Sequence, residues 1–185
     1  FEALKNSNLL YVEGYLVTSD TGRTAAIEAI KFARENQIKT ALTFSDPSMP
    51  TYFKEGLVEM IGGERIDILF CNKEELTTYT GINDPEEALQ HTNDFANSVV
   101  MTNGAKGALF YKDGNITSVD APNVVPVDTV GAGDLFAGAF LYSYGQGNDI
   151  KKCLSFSCAC ASKVVTQYGA RLKKEDILKI KESYL

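Results

Sequence analysis

Apolar and polar positions alternate along the chain in two periods, which predicts strands separated by helices. Short apolar runs predict strands from Leu9 to near Gly14 and over 39–44, 66–71 and 98–102. A hairpin is predicted around Asp113-Gly114. Three- and four-residue spacing predicts helices over 21–37, 51–61, 73–79, 85–95, 132–144, 149–167 and 174–184. This alternation predicts one α/β domain, residues 1–185, with a mainly parallel sheet and helices on both faces.

Polar and glycine-rich segments follow several of the predicted strands. They are Ser45–Pro50, Asn72–Glu75, Thr102–Gly107 and Asp128–Asp134. Ligands of parallel α/β sheets bind outside the carboxyl ends of the strands. We therefore expect the chemically active residues in these four segments.

The segment that joins glycines to an acid is Asp128-Thr-Val-Gly-Ala-Gly-Asp134, directly before a helix pattern. Glycines at a helix start let backbone amides approach an anion, and the helix dipole favours negative charge there. Asp134 falls in the first helical turn, beside the bound anion. A carboxylate next to a phosphate-binding loop suggests phosphoryl transfer, with the acid accepting the proton of an attacking hydroxyl.

Two other segments each have a structural and a functional interpretation. Asn72 followed by Glu75 forms a capping-box pattern, but the same oxygens suit a hydrated Mg²⁺ ion, and both interpretations can hold together. Thr102-Asn-Gly-Ala-Lys-Gly107 is typical of a hairpin turn, but its glycines also suit amide contacts to phosphate, with Lys106 adding charge. Asp128 has the same ambiguity, because it can simply cap the following turn.

These strings together resemble the ribokinase-like (PfkB) carbohydrate-kinase family, over Leu9 to about Arg171. The resemblance implies a three-layer αβα ribokinase-like fold and an ATP- and Mg²⁺-dependent kinase that phosphorylates a CH₂OH group. It implies that Asp134 is the catalytic base and that the amides of Gly131, Ala132 and Gly133 form the anion hole. The remaining implied sites are Asn72 and Glu75 for magnesium and phosphate, and Thr102, Gly104, Lys106, Gly107 and Cys158 for the nucleotide.

The same resemblance implies a monovalent-cation site, usually for K⁺. Asp128 would hold this ion together with backbone carbonyls at Val130, Val164, Gln167 and Gly169. Carbonyl ligands leave no mark in a sequence, so this site depends on the resemblance alone. Cys158 stands where many family members have a polar residue near the adenine, which leaves base discrimination undetermined.

Family members carry a substantial N-terminal portion with a Gly-Gly substrate motif and a small β lid, and neither is present here. We therefore expect the chain to be the C-terminal nucleotide-binding and catalytic part, inactive alone. It would be completed by the rest of the same protein or by a homodimer partner. The acceptor is expected to be a sugar or a nucleoside, and 43–47 is reminiscent of adenosine-kinase-like members. A nucleotide-binding or regulatory module without turnover is the alternative.

Composition excludes other classes of protein. A net charge of −6 without a long basic run argues against nucleic-acid binding. No apolar run is long enough to span a membrane. The four cysteines, Cys71, Cys153, Cys158 and Cys160, lack zinc spacing. Buried reduced thiols in a cytoplasmic protein explain them best.

Overall fold

Six strands form one sheet in the computed structural model, which describes all residues from Phe1 to Leu185. The strands lie in chain order, and β1–β2 and β2–β3 are parallel. They are β1 Leu9–Glu13, β2 Lys39–Thr43, β3 Ile68–Asn72, β4 Val99–Thr102, β5 Ala108–Lys112 and β6 Asn115–Val119. Asp113 and Gly114 connect β5 to β6 with φ angles of 49° and 79°. Two-residue hairpin turns require positive φ, so the predicted hairpin is confirmed.

Nine α-helices accompany the sheet, and none is long and apolar enough to cross a bilayer. They are α1 Glu2–Lys5, α2 Asp20–Glu35, α3 Ser48–Tyr52, α4 Lys54–Ile61, α5 Lys73–Thr80, α6 Pro85–His91, α7 Ala132–Gly145, α8 Ile150–Val164 and α9 Lys174–Tyr184. The single helix predicted over 51–61 is wrong in one respect. The helix is divided at Phe53, whose φ and ψ of −128° and 24° are not helical.

The chain forms two compact units. The first unit contains Phe1–Met101 and Tyr111–Asn115, and the second contains Thr102–Phe110 and Ile116–Leu185.

Parallel strands and amphipathic helices build the first unit. The register pairs Leu9 with Lys39 on β1 and β2. The buried strand residues Leu42 and Leu69 are fully enclosed, as expected for apolar runs in a parallel sheet. Helix α2 begins after Ser19, whose side chain accepts a hydrogen bond from the amide of Gly22. Its buried residues, Ala26, Ile30 and Ala33, recur at helical spacing, so one face of α2 is buried.

Helix packing dominates the second unit. Helices α7 and α8 pack against each other, and Phe140 of α7 and Leu154 of α8 are fully buried. A core cluster of Ala139, Phe156 and Cys160 is extended by partly buried residues that include Ile180 of α9. Helix α8 begins after Asp149, whose carboxylate accepts a hydrogen bond from the amide of Lys152. The candidate site described below is formed by the start of α7 and the C-terminal half of α8.

Candidate functional site

The start of α7 presents uncapped backbone amides next to an exposed carboxylate. Gly131 is the N-cap residue with φ 75°, and because it has no side chain, none caps the helix. Its carbonyl accepts the amide of Leu135 at 3.0 Å, so the helix begins in full at Ala132. Asp134 is the third helical residue and is exposed, as is Gly133. The amide of Ala132 donates a long hydrogen bond to the carbonyl of Thr129 at 3.3 Å. First-turn amides carry partial positive charge, so this turn suits an anion.

Gly131 is required at this position for two separate reasons. Its left-handed backbone favours glycine, and a Cβ added there would overlap the side chain of Ala170. Ala170 lies in the segment between α8 and α9. The first turn of α7 is therefore packed directly against that segment.

One cavity of about 310 Å³ opens in the second unit beside this turn. One side of it is a single face of α8 that continues to the C-cap residue Val165, since Cys158, Ala161, Ser162 and Val165 recur at helical spacing. The cavity is lined by Thr102, Gly104, Ala105, Gly107, Ala121, Pro122, Asn123, Val124, Pro126, Thr129, Ala132, Gly133, Phe136, Cys158, Ala161, Ser162 and Val165. The structure thus brings together six of the predicted residues: Thr102, Gly104, Gly107, Ala132, Gly133 and Cys158. Lys106 is exposed and does not line the cavity.

The loop between β4 and β5 is a tight turn that also forms part of the cavity wall. The amide of Asn103 donates to the carbonyl of Gly107 at 2.8 Å, and the amide of Lys106 donates to the carbonyl of Asn103 at 3.1 Å. Gly107 has φ 94°, and a Cβ there would overlap the carbonyl oxygen of Val119. Gly104 has φ 55° and faces open space. The connecting-turn and ligand-binding interpretations of this loop are therefore compatible.

Asp128 ties together the two loops that flank the start of α7. One carboxylate oxygen accepts the amide of Val130 and the other accepts the amide of Gly169, each at 3.0 Å. The hydrogen bond from Gly169, followed by that from Val130, lowers the pKa of Asp128. The carbonyl of Val165 accepts the amides of Val127 and Asp128 at 2.7 and 3.2 Å. These bonds hold the approach to α7 against the end of α8.

The predicted cation ligands are only partly grouped. Asp128 joins Val130 and Gly169 directly, but the carbonyl of Val164 already accepts the amide of Gln167 at 3.2 Å. The Gln167 side chain donates to the carbonyl of Arg171 at 3.1 Å. No group of three or more His, Cys, Asp or Glu side chains is arranged to hold a metal. A K⁺ ion here would depend on carbonyls and one carboxylate, a donor set that hard cations accept.

The first unit contains a reciprocal hydrogen-bond pair at the carboxyl end of β3. The side chain of Asn72 accepts the amide of Glu75 at 2.8 Å, and the Glu75 carboxylate accepts the amide of Asn72 at 2.9 Å. The other Glu75 oxygen accepts from the Asn72 side-chain amide at 2.8 Å. This is the predicted capping box with one extra bond. The oxygens are held in fixed positions, which fits a role of contacting hydrated Mg²⁺ through water.

Burial makes Glu75 an unusual carboxyl. Only 5% of the residue is exposed, and desolvation raises its pKa from 4.5 to about 7. The hydrogen bond from Asn72 opposes this rise, whereas the charges of Asp46 and Glu74 add to it. A buried carboxyl that changes protonation near neutral pH is a common feature of functional sites.

A second polar cluster in the first unit was assigned no chemistry from the sequence. Ser45 has φ 70°, which is uncommon for a residue with a side chain. Its hydroxyl donates to Glu13 at 2.9 Å and accepts the amide of Gly14 at 2.9 Å. Hydrogen bonds that the Ser48 hydroxyl and then the Ser48 amide donate to Asp46 lower the pKa of Asp46. The bonds of Ser45 fix the ends of β1 and β2, and no sequence pattern announces its positive φ.

Sequence reasoning also missed the cavity wall formed by 121–126. That segment contains Pro122 and Pro126 but no catalytic motif. Two prolines in an irregular segment indicate a stiff connection, and this was the only available signal.

The cysteines are free and buried, as predicted. Burial raises the pKa of Cys158 to about 11, so the thiol that lines the cavity is neutral.

Comparison with known proteins shows which proteins this chain is similar to. A family model described as pfkB family carbohydrate kinase matches residues 1–177. The chain is 28% identical over 189 residues to the 5-dehydro-2-deoxygluconokinase of Bacillus licheniformis, covering 97% of this chain and 57% of that protein. It superposes on the adenosine kinase of Sinorhizobium meliloti with a TM-score of 0.91 and 26% identity, covering 98% and 56% of the two chains.

A third match shows the fold alone. A putative ribokinase II of E. coli, in complex with ATP and Mg²⁺, has a TM-score of 0.86 at 22% identity and covers 98% of this chain and 59% of that one. The chain thus has the ribokinase-like α/β fold and spans somewhat more than half the length of the proteins it matches.

Proposed function

The chain belongs to the pfkB family of carbohydrate kinases, and we propose that it carries the nucleotide-binding and catalytic part of an ATP-dependent phosphotransferase. The acceptor is an alcohol group, CH₂OH, of a sugar or nucleoside. The observation that carries this proposal is the cavity of the second unit. The wall of this cavity combines the first turn of α7 with the 102–107 loop and one face of α8.

The residues at the cavity have different proposed roles, according to their chemistry. The amides of Gly131, Ala132 and Gly133 would donate hydrogen bonds to phosphoryl oxygens, since no side chain caps the start of α7. For Ala132 the phosphoryl oxygen would share or replace the long bond to the carbonyl of Thr129. Thr102, Gly104 and Gly107 would contact the nucleotide from the cavity wall, with Cys158 on the α8 side. Lys106, outside the wall, would contribute positive charge only.

Asp134 is proposed as the base. It is exposed in the first turn of α7 and is therefore accessible to an alcohol. It would orient the acceptor hydroxyl and accept its proton as the hydroxyl oxygen bonds to phosphorus and the terminal bond of the nucleotide breaks. The free alcohol need not be deprotonated first, because its proton becomes acidic only as the transition state develops.

Metal ions have proposed positions on both units. Asn72 and Glu75 would contact Mg²⁺ through water, and this ion would supply positive charge to anionic oxygens. Asp128, with the carbonyls of Val130, Val164, Gln167 and Gly169, would hold K⁺. Replacing K⁺ with tetramethylammonium at constant ionic strength should weaken nucleotide binding if this site exists. An unchanged dissociation constant would remove the K⁺ assignment.

Two of the similar proteins are named for different acceptor substrates. The B. licheniformis protein is named for a sugar-acid substrate and the S. meliloti protein for adenosine. A substrate panel of hexoses, deoxy-sugar acids, ribose and nucleosides, assayed on the intact gene product with Mg·ATP, tests the function. Phosphorylation of any of these alcohols supports it, and ATP binding without phosphorylation of any of them contradicts it.

A nucleotide-binding module without turnover is the second candidate. The observation that favours it is that the cavity able to hold a nucleotide is formed by the second unit alone. Calorimetry with Mg·ATP followed by the same substrate panel distinguishes the two functions. The free buried thiols fit a reducing, cytoplasmic compartment for either one.

A further inference from the structure

No side chain that lines the cavity is permanently charged, and none acts only as a hydrogen-bond donor or only as an acceptor. Its seventeen lining residues contain no Asp, Glu, Lys, Arg, His, Tyr or Trp. Apart from the two threonines, which lie in or beside the glycine turns, the polar groups are Asn123, Ser162 and the Cys158 thiol. Any side-chain recognition of a base edge must use these three residues.

The Ser162 residue is largely buried, but its hydroxyl oxygen keeps accessible surface and makes no hydrogen bond within the chain. Ser162 is 8% exposed, and it lines the cavity one turn after Cys158. Ser157 on the same helix behaves differently, because its hydroxyl donates to the carbonyl of Cys153 at 2.7 Å. A hydroxyl that lines a cavity and does not bond to its own helix is available to a ligand.

The chemistry of these groups is adaptable. A serine hydroxyl rotates and can donate or accept, and an asparagine side chain carries both an acceptor and donors. Burial keeps the Cys158 thiol neutral, and a thiol is a weak partner in either role. Pro122 and Pro126 further remove two backbone donors from the 121–126 wall.

From this, and resting on the proposed function, we propose that the cavity accepts 6-amino and 6-oxo purine nucleotides with similar affinity. Adenine offers a donor at position 6, and hypoxanthine offers an acceptor at the same place. Ser162 and the exposed Asn123 can each adapt to either group, as donor or as acceptor. Strong discrimination between such isosteres requires a fixed donor or acceptor, and no lining side chain provides one.

The test compares ADP with IDP, which differ at the 6-position and at the N1 proton that follows from it. Their dissociation constants for the purified chain are measured by calorimetry with saturating Mg²⁺, and no turnover is needed. Values within tenfold of each other support the proposal, and a larger difference overturns it. If neither nucleotide binds, the proposed function fails first, and the inference fails with it.

Ser162→Ala and Ser157→Ala form a matched pair on one helix. Ser162→Ala should weaken ADP and IDP by a similar factor, about fivefold each, because the same hydroxyl serves both bases. Ser157→Ala should leave both affinities unchanged, because Ser157 does not line the cavity. A Ser162→Ala variant that loses affinity for only one nucleotide would show a fixed hydrogen-bond role and overturn the proposal. If that variant does not fold, the comparison on the unmodified chain still decides.

Discussion

The carboxylate of Asp128 accepts a hydrogen bond from the amide of Gly169, a residue 41 positions later, at 3.0 Å. With the bond from Val130 to the other carboxylate oxygen, it joins the approach to α7 to the segment after α8. This arrangement gives Asp128 a structural role that does not depend on any bound ion. The turn that it supports is the one proposed to bind phosphate.

Asp128→Ala should loosen both loops. The amides of Val130 and Gly169 lose their acceptor, so their hydrogen-exchange rates should rise at least about fivefold, as expected for a lost bond to a charged group. Exchange measured by NMR on the purified chain checks this. Asp120→Ala is the control, since the exposed Asp120 side chain makes no hydrogen bond within the chain. Equal exchange in both variants would mean that the two bonds do not restrain the loops.

Gly131 and Gly138 provide a second matched pair, this time within α7. Gly131→Ala combines an unfavourable φ of 75° with an overlap against Ala170, so it should lower the free energy of unfolding by about 2 kcal/mol or more. Gly138 is exposed in the helix interior with nothing within 4 Å of an added Cβ. Gly138→Ala should therefore stabilise by up to about 0.8 kcal/mol.

Urea unfolding of both variants measures these changes. Adding Ala170→Gly to Gly131→Ala removes the overlap with the Ala170 side chain. It keeps the backbone strain and a 3.1 Å contact with the Cα of residue 170, so it should recover only part of the lost stability. If Gly131→Ala were as stable as the unmodified chain, the packing of Gly131 on Ala170 would be incorrect.

Local sequence patterns predicted the parts of the fold that depend on local chemistry. The α9 boundaries and the capping box at Asn72 agree with the structure, because periodicity and cap residues act over a few positions. The helix predicted over 85–95 ends at His91, because Thr92–Asp94 form a tighter 3₁₀ turn. Helix ends of this kind depend on packing that lies far away in sequence.

The candidate site also contains residues that local motifs predict and residues that only tertiary packing brings together. The glycine turn before α7 and the 102–107 loop are local motifs, and their residues line one cavity. The 121–126 wall and the positive φ of Ser45 result from tertiary packing, which one sequence does not reveal. The bond from Gly169 to Asp128 spans 41 residues and has no sequence signature at all.

Glu75 should make stability depend on pH in the direction opposite to that of most carboxylates. Because its pKa is raised from 4.5 to about 7, the folded state binds the proton more tightly than the unfolded state. Its contribution to stability is complete below pH 4.5 and is lost as pH rises to about 7. The loss is on the order of 3 kcal/mol.

Glu75→Gln should remove this dependence. Unfolding free energies of the unmodified chain and the variant, measured from pH 4.5 to 8 with chelator present, should converge in acid. As pH rises, the Glu75→Gln variant should become more stable than the unmodified chain. The exposed Glu28 of α2, whose charge is not among the causes of the raised pKa of Glu75, supplies the control substitution. Glu28→Gln should keep the pH profile of the unmodified chain. A difference between the chain and Glu75→Gln that stays constant across this range would show that Glu75 does not titrate there.

Asp134→Asn tests the proposed base. The amide keeps the size of the side chain but cannot accept a proton, so kcat in the intact gene product should fall by about 10²–10⁴. Nucleotide affinity should change little, because the backbone amides of the α7 turn remain. Asp149 is the control on the next helix, where Asp149→Asn keeps a capping side chain and should leave kcat unchanged. If Asp134→Asn retained most of its turnover, another group would have to accept the proton, and the role proposed for the first turn of α7 would be limited to binding phosphate.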